Sequence, residues 1–285
     1  MSLLALALVL TSALLHASWN LLAKRVSRGA PLVWLFAACA SVLFAPAAAY
    51  VIISERPSFG LAEYALMTAS GVLHLGYMVA LQRGYRAGDL SVVYPLARGA
   101  GPVLAVAAAV ALFGERPSAL ALTGAVMVVT GAFIIAGGER VFRVGHRRAT
   151  AYGLLTGVFI ASYTLTDAHG VARLEIHPLI LLWATELLRT LMLAPVALHR
   201  SGEVRHIWKV HRWEVLGVAI LSPLAYLLVL WALSFTPVSY VAPVRELSIL
   251  FGAALGAGLL GEGEGRRRLL AAGLMALGVA ALTLG

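Results

Sequence analysis

Apolar residues follow one another along this chain in ten runs, each about long enough to cross a lipid bilayer. A transmembrane helix needs about 20 mostly apolar residues to cross roughly 30 Å of hydrocarbon. The links are short, with longer ones only around 138–150 and at 199–212. We therefore predict ten transmembrane helices at residues 2–23, 31–53, 61–82, 90–113, 118–137, 150–170, 177–198, 213–235, 238–260 and 268–284.

The composition supports this interpretation. Of 285 residues, 61% are hydrophobic and 12% are charged, and the mean hydropathy is +0.89. A soluble chain would be about half apolar and about a quarter charged. The first run has no Lys or Arg before it, so we expect a retained helix and not a cleaved signal peptide. The predicted class is an all-α, multi-pass integral membrane protein.

The basic residues lie mainly in the links, which makes topology a better explanation for the net charge of +9 than nucleic-acid binding. Links after odd-numbered helices carry 16 Lys and Arg residues, whereas links after even-numbered helices carry 3. Positive loops are retained on the cytoplasmic side. The charges therefore predict that both termini lie outside the cytoplasm.

Short motifs recur in the same order in the two halves of the chain. ASWN at 17–20 is followed 144 residues later by ASYT, and SVVYP at 91–95 is followed 148 residues later by SYVAP. A GE pair at 114–115 recurs 147 residues later. Five helices per repeat would give the two copies opposite orientations. We predict a 5+5 inverted-topology repeat around a central cavity, with repeats at 1–137 and 150–285 and a linker at 138–149.

Charged side chains occur at matching depth in the fourth and ninth predicted helices. Arg98 lies between Pro95 and Pro102, and Arg245 and Glu246 follow Ser239 by six and seven residues. An intramembrane charge costs about 2.5–3.5 kcal/mol on insertion scales, so such residues invite a functional hypothesis. The alternative is that Arg245 neutralises Glu246, or that Arg98 pairs with Glu246, and merely holds the bundle together.

Polar stripes occur on several other predicted helices. Residues three, four or seven apart share a helix face. The alternative for each polar residue is a hydrogen bond between helices. The stripes comprise His16 and Asn20 in the first helix, Ser70, His74 and Tyr77 in the third, Thr156, Tyr163 and Asp167 in the sixth, and Glu186 with Arg189 in the seventh.

The fifth and tenth predicted helices are instead nearly all apolar and rich in small residues, which predicts packing faces between helices or between subunits. We find no HExxH, GxSxG or phosphate-binding loop, and no Cys/His cluster with metal-ligand spacing. The single cysteine, Cys39, excludes an internal disulfide. The sequence therefore predicts neither an enzyme nor a cofactor.

Several motifs together resemble the drug/metabolite transporter superfamily, and specifically its ten-helix EamA-type permeases. They are HASWN at 16–20, YPLARG at 94–99 with Pro102, and the GE turns before the fifth and tenth helices. The resemblance implies a secondary carrier in the bacterial cytoplasmic (inner) membrane. It implies a cavity lined mainly by helices 1, 3, 4, 6, 8 and 9. It also implies cytoplasmic termini, opposite to the orientation that the loop charges predict.

We therefore hypothesise an exporter of a small polar or amphipathic metabolite, with Arg98 and Arg245 meeting a carboxylate or phosph(on)ate. The chain would act by alternating access as a monomer or homodimer, with protons as a possible coupling ion. A flippase for a lipid-linked head group and a non-transporting structural or regulatory partner are the alternatives. The candidate substrate-binding residues are Arg98, Arg245, Glu246, His16, Trp19, Asn20, His74, Tyr77, Tyr94, Tyr163, Asp167 and Tyr226.

Overall fold

Helices make up nearly all of the described chain. The computed structural model of the protein describes residues 1–23, 25–26, 29–87, 90–135, 147–260 and 265–285. The helices are α1 (Leu3–Ala23), α2 (Ala30–Glu55), α3 (Leu61–Ala87), α4 (Leu90–Phe113), α5 (Ala119–Ile135), α6 (Arg147–Ala172), α7 (Pro178–His199), α8 (Ser201–Leu233), α9 (Val238–Val244), α10 (Leu247–Leu260) and α11 (Gly265–Leu284). The all-α prediction is confirmed. Most of the predicted linker, together with Lys24 and the second GE turn, lies outside the described residues.

The lengths and hydropathy of these helices fit a multi-pass membrane protein. Within the described residues, seven segments are long and apolar enough to cross a bilayer: Leu3–Ala23, Ala30–Glu55, Leu61–Gly84, Leu96–Phe113, Pro178–His199, Ser201–Leu233 and Val238–Leu255. The apolar helices at Ala119–Ile135 and Leu269–Leu284 are shorter. The polar helix α6 has 26 residues, which is sufficient length to span the hydrocarbon.

The predicted link at 199–212 is helical, which corrects the sequence interpretation. Helix α8 begins at Ser201 and continues into the predicted eighth span, with non-helical dihedral angles only at His211 (φ −126°, ψ 28°). Ile207 is buried against the neighbouring helices, while Trp208 is exposed. Basic residues on the exposed face lower the hydropathy of this segment, so a hydropathy pattern does not distinguish it from a loop.

The predicted ninth helix is divided between α9 and α10. Its two parts meet at Arg245 and Glu246, and the N–H groups of Glu246, Ser248 and Ile249 donate to the carbonyl oxygen three residues earlier and not four. Pro243 precedes this junction and lacks the N–H that would otherwise bond to the carbonyl of Ser239. The two charged residues therefore lie at a discontinuity in a membrane-embedded helix.

Close packing joins α5 to α11, as the small residues in both helices predict. A Cβ atom added to Gly124 would lie 2.5 Å from the carbonyl oxygen of Gly278, and one added to Gly278 would lie 2.7 Å from that of Gly124. The two backbones can approach this closely only because neither position carries a side chain. Helix pairs α1–α8, α2–α7, α3–α6 and α4–α6 also pack together.

The two ends of the chain lie at the same face of the helical bundle. The amino group of Met1 approaches the carbonyl oxygen of Thr283 at 3.5 Å. The same face contains the beginning of α9, because Tyr240 Oη lies 3.5 Å from the carbonyl oxygen of Gly285. We call this side of the protein the terminal face.

Candidate functional site

A buried ion pair joins α4 to the junction between α9 and α10. Arg98 Nε lies 3.2 Å from Glu246 Oε2, and the side chains of both residues are largely buried. Arg98 also donates a hydrogen bond from Nη2 to Ser248 Oγ. Of the pairings considered from the sequence, the structure contains Arg98 with Glu246. Helix α4 remains helical through Pro95 and Pro102, whereas the span that carries Glu246 is divided into α9 and α10.

Arg245 has a different environment from Arg98. Its guanidinium carbon lies 5.4 Å from the centroid of the Tyr226 ring, and Nη1 donates to Thr164 Oγ1 at 3.4 Å. Stacking on an aromatic face is a favourable position for a guanidinium group. Among the described residues, no carboxylate lies within 4.0 Å of Arg245. Its side chain is partly exposed, whereas Glu246 beside it is buried.

Asp167 is fully buried on α6. Tyr226 Oη donates a hydrogen bond to Asp167 Oδ2, and His74 Nε2 lies 3.9 Å from the same oxygen. Asp167 Oδ1 is buried without a hydrogen-bond partner in the part of the chain that the structure describes. Helices α3, α6 and α8 thus contribute one polar side chain each to this position.

Aromatic rings surround the Asp167 carboxylate. The His74 ring is stacked on that of Tyr163 at 4.1 Å and meets that of Tyr226 edge-on at 5.2 Å. The ring centroids of Tyr77 and Tyr163 are 5.9 Å apart, and those of Tyr163 and Tyr226 are 6.1 Å apart. His74, Tyr77, Tyr163, Asp167 and Tyr226 therefore form one cluster, which we call the aromatic cluster. It adjoins Arg245 through Tyr226.

The first helix contributes less than its polar stripe suggests. The Asn20 amide donates to the carbonyl oxygen of His16 on its own helix at 2.7 Å, which occupies one of its hydrogen-bonding groups locally. The His16 ring meets the Trp19 ring edge-on at 5.0 Å. Trp19 Nε1 is buried and has no hydrogen-bond partner among the residues described.

Of the remaining predicted positions, the side chain of Tyr94 lies outside the described part of the structure. Two polar residues that contact the arginines, Thr164 and Ser248, are absent from the predicted site. Thr164 closes the ASYT motif, and Ser248 is a hydroxyl residue in an apolar run two positions after Glu246. The motif that contains Thr164 and the isolated Ser248 can both be recognised in the sequence, but neither shows which helix the hydroxyl group contacts.

A second ion pair lies within α7, where Arg189 contacts Glu186 one helical turn away. Thr185, next to this pair, lies 3.4 Å from Ser70 Oγ, so α7 adjoins the polar face of α3. No group of three or more His, Cys, Asp and Glu side chains within the described ranges is placed to hold a metal ion.

A cavity of about 290 Å³ lies beside the beginning of α9, near the terminal face. Its wall includes Ala168, which directly follows Asp167, and extends to the exposed Arg173. Glu115 also lines it and accepts hydrogen bonds from the backbone N–H groups of Val238 and Ser239, at 2.8 and 2.9 Å. Glu115 thereby fixes the beginning of α9 to the link between α4 and α5.

Comparison with known proteins agrees with this architecture. Residues 147–284 match the EamA-like transporter family, which confirms the resemblance inferred from the sequence motifs. A crystal structure with 14% sequence identity superposes with a TM-score of 0.78 and covers 98% of this chain and 98% of that chain. At this identity the likeness shows the fold alone. No curated protein matches the sequence.

Proposed function

We propose that this chain, whose residues 147–284 match the EamA-like transporter family, is a secondary transporter of a small anionic metabolite. The match indicates a membrane transporter of the drug/metabolite type. Our proposal adds the substrate class, a polar or amphipathic molecule with a carboxylate or phosph(on)ate group, and a mechanism of alternating access. It also includes location in the bacterial cytoplasmic membrane.

The environment of Arg245 is the observation that carries this proposal. A guanidinium group within a membrane span is costly unless it has a compensating partner. Arg98 has Glu246, and Arg189 has Glu186. Arg245 has a tyrosine ring and a threonine hydroxyl, with no carboxylate within 4.0 Å among the described residues. A bound anion would supply the missing charge, and arginine binds carboxylates and phosphates through two parallel hydrogen bonds.

Arg98 has a supporting role in this proposal. Because Glu246 is paired with Arg98, its carboxylate would not compete with a bound anion for the guanidinium of Arg245. The pair also joins α4 to the junction of α9 and α10, and so fixes the position from which Arg245 extends. Arg98 would therefore orient the anion site, while Arg245 contacts the anion.

The packing pattern supports a 5+5 inverted repeat as part of the proposal. If α1 corresponds to α6 and α3 to α8, then the α1–α8 contact corresponds to the α6–α3 contact, and both are present. Under the same correspondence α2 is equivalent to α7, and α5 to α11. The contacts of α2 with α7 and of α5 with α11 therefore each join a helix to its own counterpart. Two inverted halves around one site would let the same residues face either side of the membrane in turn.

A melting-temperature screen of the detergent-purified protein tests the anion site. Wild type and Arg245→Gln are heated with amino acids, organic acids, phosphonates and cationic drugs. Because a compound that binds only the folded state raises the melting temperature, anionic compounds should stabilise wild type. They should not stabilise Arg245→Gln, which keeps a polar side chain near Thr164 but has no charge.

Arg189→Gln is the matched control, since it removes a buried arginine at another position and should still respond to the same anions. Equal stabilisation of wild type and Arg245→Gln by anions would refute the role of Arg245. A response to cationic drugs alone would refute the proposed substrate class.

A further inference from the structure

The described part of the structure contains three buried carboxylates, and one differs from the others in its partner. Glu246 is paired with Arg98, and Glu186 is paired with Arg189. Both partners carry a permanent positive charge. Asp167 instead faces His74, whose charge depends on protonation. The Asp167 site can therefore change its net charge, whereas the other two sites contain a fixed cation.

Hydrogen bonding determines which nitrogen of His74 carries a proton. His74 Nδ1 lies 2.9 Å from the carbonyl oxygen of Ser70, which can only accept a hydrogen bond. Nδ1 is therefore the donor, and in a neutral imidazole Nε2 has no hydrogen. This bare nitrogen faces Asp167 Oδ2 at 3.9 Å. Two electron-pair acceptors therefore lie near each other within the membrane, and a further proton on either group would remove the repulsion between them.

The groups around Asp167 do not remove the need for that proton. From α8, Tyr226 donates to Oδ2, and from α3 the Ser70 hydroxyl lies near the carboxylate. Arg245, at the junction of α9 and α10, and Arg189, on α7, act on the pair only at longer range. Asp167 Oδ1 has no hydrogen-bond partner within the described ranges, so it is available to carry a proton.

A cavity beside the end of α6 approaches the region of this pair. The 290 Å³ cavity extends along α6 as far as Ala168, the neighbour of Asp167 in the chain. Its wall is partly polar and includes His169 and Thr236. Water in a cavity with such a lining can hydrogen-bond to the wall and bring protons to this end of α6.

We propose that Asp167 and His74 form a proton-binding site that couples transport to protons. The inference rests on the transport function proposed above and assigns its coupling ion. A proton from water adds to Oδ1 of the Asp167 carboxylate to form the carboxylic acid, next to the His74 ring. The same proton leaves to water on the opposite side of the membrane, and no other bond forms or breaks.

The position of Tyr226 links the proton site to the anion site. Its hydroxyl group contacts Asp167, and its ring carries the Arg245 guanidinium. Protonation of Asp167 removes a negative charge from the neighbourhood of the anion, so proton and anion binding favour one another reciprocally. The two ions would then move in the same direction. The export predicted from the sequence would be driven by the concentration gradient of the anion.

Infrared difference spectroscopy at varied pH tests the proton site with protons as the only probe. Wild type should show the carbonyl-stretch band of a carboxylic acid that titrates within the pH range of folding. Asp167→Asn, which is nearly isosteric and can still accept from Tyr226, should lose this band. Glu186→Gln is the matched control, because it removes another buried carboxylate, and it should retain the band.

A second pair of variants keeps the test decisive if Asp167→Asn does not fold. His74→Gln should shift the titration midpoint, because it replaces the ring that lies 3.9 Å from Asp167 Oδ2. His177→Gln, at a histidine near Glu55 and Trp231, should leave the midpoint unchanged. A band that persists in Asp167→Asn, an unchanged midpoint in His74→Gln, or the absence of any titrating band in wild type would overturn the proposal. Since no anion is used, this result is independent of the melting-temperature screen.

Discussion

Arg98, Arg245 and Glu246 differ in role although they lie close together. Glu246 pairs with the arginine of another helix and not with the arginine that precedes it in the chain. The guanidinium of Arg245 is directed to Tyr226 and Thr164 instead. One arginine is thus neutralised and joins two helices, while the other has no carboxylate within 4.0 Å among the described residues. The identity of the pair follows from packing between helices and not from sequence proximity.

A double-mutant cycle on Arg98→Gln and Glu246→Gln tests this assignment. Removing one member of a buried ion pair leaves an uncompensated charge and typically costs about 3–5 kcal/mol. Each single variant should therefore be strongly destabilised, and the double variant should be less destabilised than the sum of the two. The measurement is the free energy of unfolding in mixed detergent micelles. Additive effects would show that the two charges do not depend on each other.

The sequence predicts which residues lie within the membrane more successfully than it predicts their partners. Arg98, Arg245 and Glu246 are identifiable because charges are rare in apolar runs. Asp167 contacts His74 and Tyr226 because of the way α3, α6 and α8 pack together. Helical periodicity shows which residues share a face of a helix, but not which other helix packs against that face. For the same reason the hydroxyl groups of Thr164 and Ser248 were not predicted as partners of the arginines.

At the level of helices, proline alone does not explain the discontinuity between α9 and α10. Pro95 and Pro102 remove backbone hydrogen bonds from α4, which nevertheless remains helical. Pro243 is followed by a break. The two helices differ in that the junction between α9 and α10 carries two adjacent charged side chains, of which Glu246 is paired with Arg98. The positions of prolines in the sequence therefore do not show which of the two helices is interrupted.

The contact between α5 and α11 can be tested with two glycines of the same helix. A methyl group at Gly278 would lie 2.7 Å from the carbonyl oxygen of Gly124, whereas one at Gly273 would meet no atom within 4 Å. Gly278→Ala should lower the melting temperature because the helices must separate. Gly273→Ala should maintain or raise it, since alanine favours a helix over glycine by about 1 kcal/mol. Similar melting temperatures for the two variants would contradict this close crossing.

Considered as a whole, the molecule has one face that combines the chain ends, a cavity and the beginning of α9. The terminal face includes both chain ends and the cavity that extends to Ala168. Glu115 fixes the beginning of α9 at this face, and the same broken span carries Arg245 farther along. Movement of α9 relative to α4 and α6 would therefore alter access to the anion site from the terminal face.

Alternating access at this site is the central claim, and single-cysteine labelling tests it most directly. Ser248→Cys, nearly isosteric and in contact with Arg98, is introduced on a Cys39→Ala background that has no other cysteine. A membrane-impermeant thiol reagent is added to vesicles of each orientation, with the Cys39→Ala parent as the control. We predict that the new cysteine reacts from both sides of the membrane. Reaction from one side only, or from neither, would contradict alternating access.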